Sequence, residues 1–116
     1  MKLSGHQYEQ IVNRAEKAGA CEPAISLLRR MTPDEALCHE LALYWLFWYA
    51  CFVIKARWPE AEEVIRQDAE WAYCYAYDVI KGRWPEAEEV IRQDAEWAYC
   101  YARDVIKARW PDKKGG

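Results

Sequence analysis

At 116 residues, with 53% hydrophobic and 15% aromatic side chains, the chain is long enough for one domain with a real core and too apolar to stay disordered. A net charge of −3 gives no overall basic footprint of the kind that nucleic acid or an anionic membrane surface selects. The longest apolar run, from Leu41 to Ile54, has 14 residues, short of the roughly 20 that a membrane span requires.

From the amino end, a polar helical pattern starts at once, with no signal-peptide profile before it. Five cysteines, Cys21, Cys38, Cys51, Cys74 and Cys100, are odd in number and widely spaced. They read as reduced, mostly buried thiols of a cytoplasmic protein. Ser4 and Gln7 have capping-box spacing, and Leu3 is placed to staple onto Tyr8. Tyr8, Ile11, Val12 and Ala15 keep the helical period until Gly19 stops it. Pro23 then opens a second short helix through Ile25, Leu27 and Leu28. Residues 1–31 are thus expected to form a capping hairpin, mildly basic at +2.

The rest of the chain is repetitive. Residues 57–82 and 83–108 agree at 24 of 26 positions, differing only where Tyr77 faces Arg103 and Gly82 faces Ala108. Setting Pro33 over Pro59, Pro85 and Pro111 reveals a diverged third copy, with Trp45 over Trp71 and Trp97 and Tyr49 over Tyr75 and Tyr101. The units run 32–57, 58–83 and 84–109, and 110–116 starts another and abandons it. In each, the Trp-Pro pair breaks the preceding helix, because the residue before proline avoids helical geometry. Pro59 suits the first position of a new short helix, and Glu60, Glu62 and Glu63 complement its positive end. Asp68 is the next N-cap, and a second helix is expected from Ala69 to Lys81. A left-handed glycine cap is not essential, since Ala56 and Ala108 replace Gly82 elsewhere. Units this small must stack to bury their apolar faces. The predicted fold is all-α: a right-handed α-solenoid of about four hairpins and eight helices.

The run Trp-Pro-Glu-Ala-Glu-Glu-Val-Ile, followed by Ala-Glu-Trp-Ala-Tyr-Cys-Tyr-Ala-Arg-Asp-Val-Ile-Lys, resembles short 26-residue helical repeats of uncharacterised phage and bacterial proteins. The likeness covers 57–111 well, 32–56 loosely and the first 31 residues not at all. It implies a helical repeat and a phage or bacterial origin, and it carries over no functional residue. Tetratricopeptide and Sel1-like arrays share the architecture by analogy only, with longer periods.

On a helical wheel, Ala69, Trp71, Ala72, Tyr73, Tyr75, Ala76, Tyr77, Val79 and Ile80 form a wide apolar arc, leaving Glu70, Cys74, Asp78 and Lys81 outside it. Core packing is favoured over a ligand cage or base-stacking platform for Trp71 and Tyr75. Tyr77 is expected to face the next unit, with Arg103 solubilising the last one, and Trp110 to fold back over the end above a loose tail. In the first copy the outer positions hold Tyr44, Trp48 and Phe52, where later copies have Glu70, Cys74, Asp78 and Glu96, Cys100, Asp104. Exposed together, these aromatics would form an apolar patch that a soluble monomer rarely tolerates. Three readings compete: cover by the amino-terminal hairpin, a homodimer seam, or an anchor for a foreign protein.

Catalysis is not expected. Ser4, Ser26 and Thr32 are the only hydroxyls besides tyrosine, no glycine-rich phosphate loop occurs, and acidic neighbours would raise the thiol pKa of Cys74 and Cys100. The glutamates at 60, 62 and 63, recurring at 86, 88 and 89, read as a solvated face rather than a cation site. His6 and His39 lie at no metal-ligand spacing, so no metal or cofactor is expected, nor a small-molecule substrate. Lys55, Lys81 and Lys107 with Arg57, Arg83 and Arg109 form a basic ladder, but carboxylates recur as often, which disfavours nucleic acid. The sequence thus points to a non-catalytic protein-interaction module. Tyr44, Trp48 and Phe52 are its contact, and Glu70, Asp78, Glu96 and Asp104 lie on its acidic rim. Replacing Trp48 with Asp is expected to abolish binding while leaving helicity intact. The alternatives are a self-assembling homodimer, and a phage inhibitor of a host defence nuclease, similar to anti-CRISPR proteins, acting by charge mimicry.

Overall fold

A computed structural model describes residues 1–110, and the regular structure of that stretch is helical throughout. Eight α-helices follow in order among the described residues: α1 (Gly5–Lys17), α2 (Glu22–Arg29), α3 (Pro33–Cys38), α4 (Ala42–Tyr49), α5 (Pro59–Ile65), α6 (Ala69–Tyr75), α7 (Pro85–Arg92) and α8 (Ala95–Tyr101). Neighbouring helices pair as hairpins and the hairpins stack, giving a rod of 49 × 23 × 22 Å. The expected tail at 111–116 lies outside the described residues.

The local signals act as the residues dictate. Ser4 takes the Gln7 amide at 3.1 Å while the Gln7 side chain takes the Ser4 amide at 2.9 Å, closing the capping box of α1. Beyond its last turn Gly19 adopts φ +100°, a value open to glycine at little cost. Thr32 and Glu35 build a second capping box on α3, and Asp68 and Asp94 cap α6 and α8 through the amides of Trp71 and Trp97. Prolines stand in the first turns of α2, α3, α5 and α7.

The carboxyl ends of the second helices differ from expectation. After Tyr49, Tyr75 and Tyr101 the chain widens into π-helical turns at Ala50–Ile54, Ala76–Ile80 and Ala102–Ile106. Each ends on a lysine in the left-handed region: Lys55, Lys81 and Lys107 at φ 59°, 61° and 61°. A left-handed cap is therefore used in every unit, but the lysine adopts it and Gly82 does not. The Lys81 and Gly82 amides both reach the Ala76 carbonyl, at 2.7 and 3.3 Å, which closes the wide turn on that one acceptor. Each strained lysine costs about 1 kcal/mol, which the surrounding packing offsets.

Packing follows the repeat. Ala61, Ile65, Ala72, Tyr75 and Ala76 in one unit, and Ala87, Ile91 and Tyr101 in the next, are buried in a single core with Trp84. The alanines let helices approach closely, and each fully buried isoleucine contributes on the order of 2–3 kcal/mol. A smaller second core, Val12, Ala15, Ile25 and Tyr49, joins the amino-terminal hairpin to α4.

Candidate interaction surface

Each Trp-Pro junction carries a four-residue clasp. The Tyr75 hydroxyl accepts the Trp58 amide at 2.7 Å and donates to Glu62 Oε2 at 2.7 Å. Arg57 grips the same carboxylate through two bonds of 2.9 and 2.8 Å. The next unit repeats the arrangement with Tyr101, Trp84, Glu88 and Arg83. The guanidinium of Arg57, outweighing burial and helped by Tyr75, holds the Glu62 carboxyl below the usual carboxylate range, and Arg83 does the same for Glu88. Burial, foremost, pushes the Tyr75 and Tyr101 hydroxyls well above their ordinary values, so they stay protonated donors.

The same tyrosine rings link successive units. Tyr49 packs on Trp58 at 5.0 Å, Tyr75 on Trp84 at 4.9 Å and Tyr101 on Trp110 at 5.0 Å. Trp110 thus closes the last described unit as expected, with the Arg92 guanidinium 4.4 Å above its ring. The solvated-face reading of the glutamates needs correcting: Glu60 and Glu86 are exposed, whereas Glu62 and Glu88 are drawn inward by their clasps. Glu63 is exposed and meets the Met1 amino group at 2.9 Å. The basic ladder is thinned by the same geometry, because Arg57 and Arg83 are committed to carboxylates.

The three aromatics singled out on α4 and its wide turn separate into two groups. Tyr44 and Phe52 are 44% and 55% exposed, and Leu41 beside them is 45% exposed. Trp48 lies between them, half-buried, with its ring 5.3 Å from Phe52 and its inner side against the core shared with α1 and α2. The amino-terminal hairpin therefore covers Trp48 in part and leaves Tyr44 and Phe52 to solvent. Tyr44 leans on Trp71 of the next unit at 5.9 Å, which holds its ring at the surface.

On the neighbouring units Glu70, Asp78 and Glu96 are exposed, in line with Tyr44 and Phe52 by repeat position. Asp104 is not a free rim charge. It accepts the Tyr73 hydroxyl at 2.5 Å and pairs with Arg103 at 2.8 Å, and these bonds, Arg103 first, hold its carboxyl down to about 2. Tyr77 is 50% exposed and its ring contact is Tyr73 of its own unit, so it does not bury itself against the next one. The wide turn explains this, because a wheel of 100° per residue fails where each amide reaches five residues back.

The thiols also differ from expectation. Cys21 and Cys38 are exposed and Cys51, Cys74 and Cys100 half-buried, all of them free. Burial, then the carboxylates of Glu70 and Asp78, raises the Cys74 thiol to about 11, and burial with Asp78 raises Cys51 to about 11. Both stay protonated and weakly nucleophilic at neutral pH. Among the described residues no cluster of three or more His, Cys, Asp or Glu has metal-binding geometry, and no helix is long and apolar enough to cross a membrane.

Phe47 packs on Trp71 at 5.6 Å, and Tyr73 on Trp97 at 5.6 Å by the same register. Tyr99 is the next member of this series and is 65% exposed, its contacts including the Arg103 guanidinium at 5.4 Å. Sequence reasoning missed Tyr99 and the clasps. Comparisons with protein-family models, with curated proteins and with solved structures find no match.

Proposed function

We propose that this protein is a non-catalytic interaction module that docks on a partner protein through the edge formed by Tyr44 and Phe52. Trp48 backs that edge and Glu70, Asp78 and Glu96 flank it. The observation that carries this reading is the exposure of Tyr44 and Phe52 on one helical edge with Leu41 beside them. Aromatics held rigidly at a surface lose little freedom on binding and dominate interface energetics. The acidic flank favours a partner whose matching face is basic at its margin. The repeat resemblance supports a phage or bacterial setting, and five free thiols suit the reducing cytoplasm.

The test compares wild type with Phe52→Asp and Tyr44→Asp, each immobilised and exposed to extract from the source cell. Retained proteins are then purified and their binding measured directly. Wild type should hold one partner with a Kd that either variant weakens at least tenfold while its helical circular dichroism is unchanged. Binding that both variants retain would overturn the assignment.

Self-assembly is a second reading, favoured by the 65% exposure of Tyr99 in the last described unit. Sedimentation across a concentration series decides it: a dimer weakened by Tyr99→Ser supports it, and a monomer at every concentration removes it.

A further inference from the structure

A cavity of about 320 Å³ lies between the amino-terminal hairpin and the first repeat. Its walls come from both units: Tyr8, Ala24 and Leu28 on one side, and Leu37, Trp45 and Trp48 on the other. It is a chamber between two packed elements, and it reaches the surface beside exposed Gly19, Cys21 and Tyr44.

The lining determines what would enter. No charged side chain contributes to the wall, and an ion would lose its hydration there with nothing in return. Tyr8 uses its hydroxyl internally, donating to the Leu28 carbonyl at 2.6 Å. The aromatic walls are also held from behind. His39 stacks on Trp45 at 4.8 Å, with its Nδ1 accepting the Leu41 amide at 3.0 Å. Trp48 is braced by Phe52 at 5.3 Å. A cavity of roughly 150 Å³ with an apolar lining binds benzene, so this one has room for two to three rings, at the lower end of small-molecule sites.

We infer that the protein binds a neutral, apolar, two- to three-ring small molecule in the chamber between the α1–α2 hairpin and α4. This site adjoins the proposed docking edge and shares Tyr44 and Trp48 with it, but Ala24 lies in the chamber wall and not on the edge.

The test uses the whole chain and the neutral dye N-phenyl-1-naphthylamine. Titration should show one saturable site with energy transfer from tryptophan and a Kd on the order of 10 μM. Ala24→Phe, which fills the chamber, should weaken binding at least tenfold, and Cys21→Phe, which blocks the mouth without entering the core, at least fivefold. Tyr77→Ser, at an exposed ring that does not line the chamber, should leave the Kd within twofold. Saturating dye should also slow maleimide modification of Cys21 several-fold without slowing that of Cys38, which is exposed and away from the lining. The inference is overturned by non-saturable binding, by equal affinity for the anionic dye anilinonaphthalene sulfonate, or by a Kd that follows Tyr77→Ser. It is equally overturned if a folded Ala24→Phe or Cys21→Phe binds as wild type does.

Discussion

Replacing Tyr75 with Phe removes one oxygen and leaves the ring on Trp84 in place. The change deletes two hydrogen bonds of 2.7 Å, one from the Trp58 amide and one to the Glu62 carboxylate. Glu62 keeps Arg57, so its loss is that of one charge-assisted bond among three. The Trp58 amide loses its Tyr75 partner in a partly buried position, and an orphaned donor of that kind costs about 1–3 kcal/mol. The combined destabilisation should be about 2–3 kcal/mol. Urea unfolding followed by far-ultraviolet circular dichroism measures it, with the slope checked for loss of cooperativity between units. Tyr101→Phe should give a matching value, because its clasp has the same partners at 2.7 Å. Tyr49→Phe is the control: its unit has Met31, Thr32 and Ala36 where the clasps have Arg, Trp and Glu, so it should cost under about 0.5 kcal/mol. Equal effects at all three tyrosines, or a Tyr75→Phe protein as stable as wild type, would refute the clasp.

Acid should unfold the protein partly through Glu62 and Glu88, whose folded carboxyls are held below the unfolded value of about 4.3. Their stabilisation is present above that value and fades as pH falls through the depressed one, so a Glu62→Gln/Glu88→Gln protein should show a flatter decline in urea midpoint between about pH 4.5 and 3. Lys81→Gly should stabilise by about 0.5–1 kcal/mol by relieving the left-handed strain, and Lys81→Val should destabilise, both read as urea midpoints. Trp48→Asp should lower stability by about 3 kcal/mol or more because it drives a charge into the hairpin–α4 core, whereas Phe52→Asp should stay within about 0.5 kcal/mol of wild type. Equal thermal midpoints for those two variants would contradict the division made between the two side chains.

The architecture was legible because it rests on local chemistry and self-similarity. Ser4 and Gln7, Asp68, Gly19 and the prolines each act within a few residues, and the repeat makes each signal recur. The wide turns were not legible. They depend on amides reaching five residues back to Ala50, Ala76 and Ala102, and neither propensity nor wheel geometry encodes that choice. The misplacement of Tyr77 and of the left-handed cap follows from this one cause. The clasps left a trace that could have been used: Arg57, Trp58 and Glu62 recur together as Arg83, Trp84 and Glu88 and are lost together as Met31, Thr32 and Ala36. Joint loss within one chain signals mutual contact, although the Tyr partner persists in all three copies because its ring also packs on the following unit. At the candidate edge, position alone identified Tyr44, Trp48 and Phe52 as anomalous. Separating the exposed pair from the half-buried tryptophan required knowing where α1 and α2 settle. The chamber beside Trp48 was invisible for the same reason, since a void is a property of two surfaces and not of either sequence.

Small-angle X-ray scattering at several concentrations tests the stacking of hairpins most directly. An end-to-end pile of four pairs should scatter as an elongated monomer with a radius of gyration near 15.5 Å plus hydration. A near-spherical particle with the roughly 13 Å expected of a compact chain of this length would contradict it.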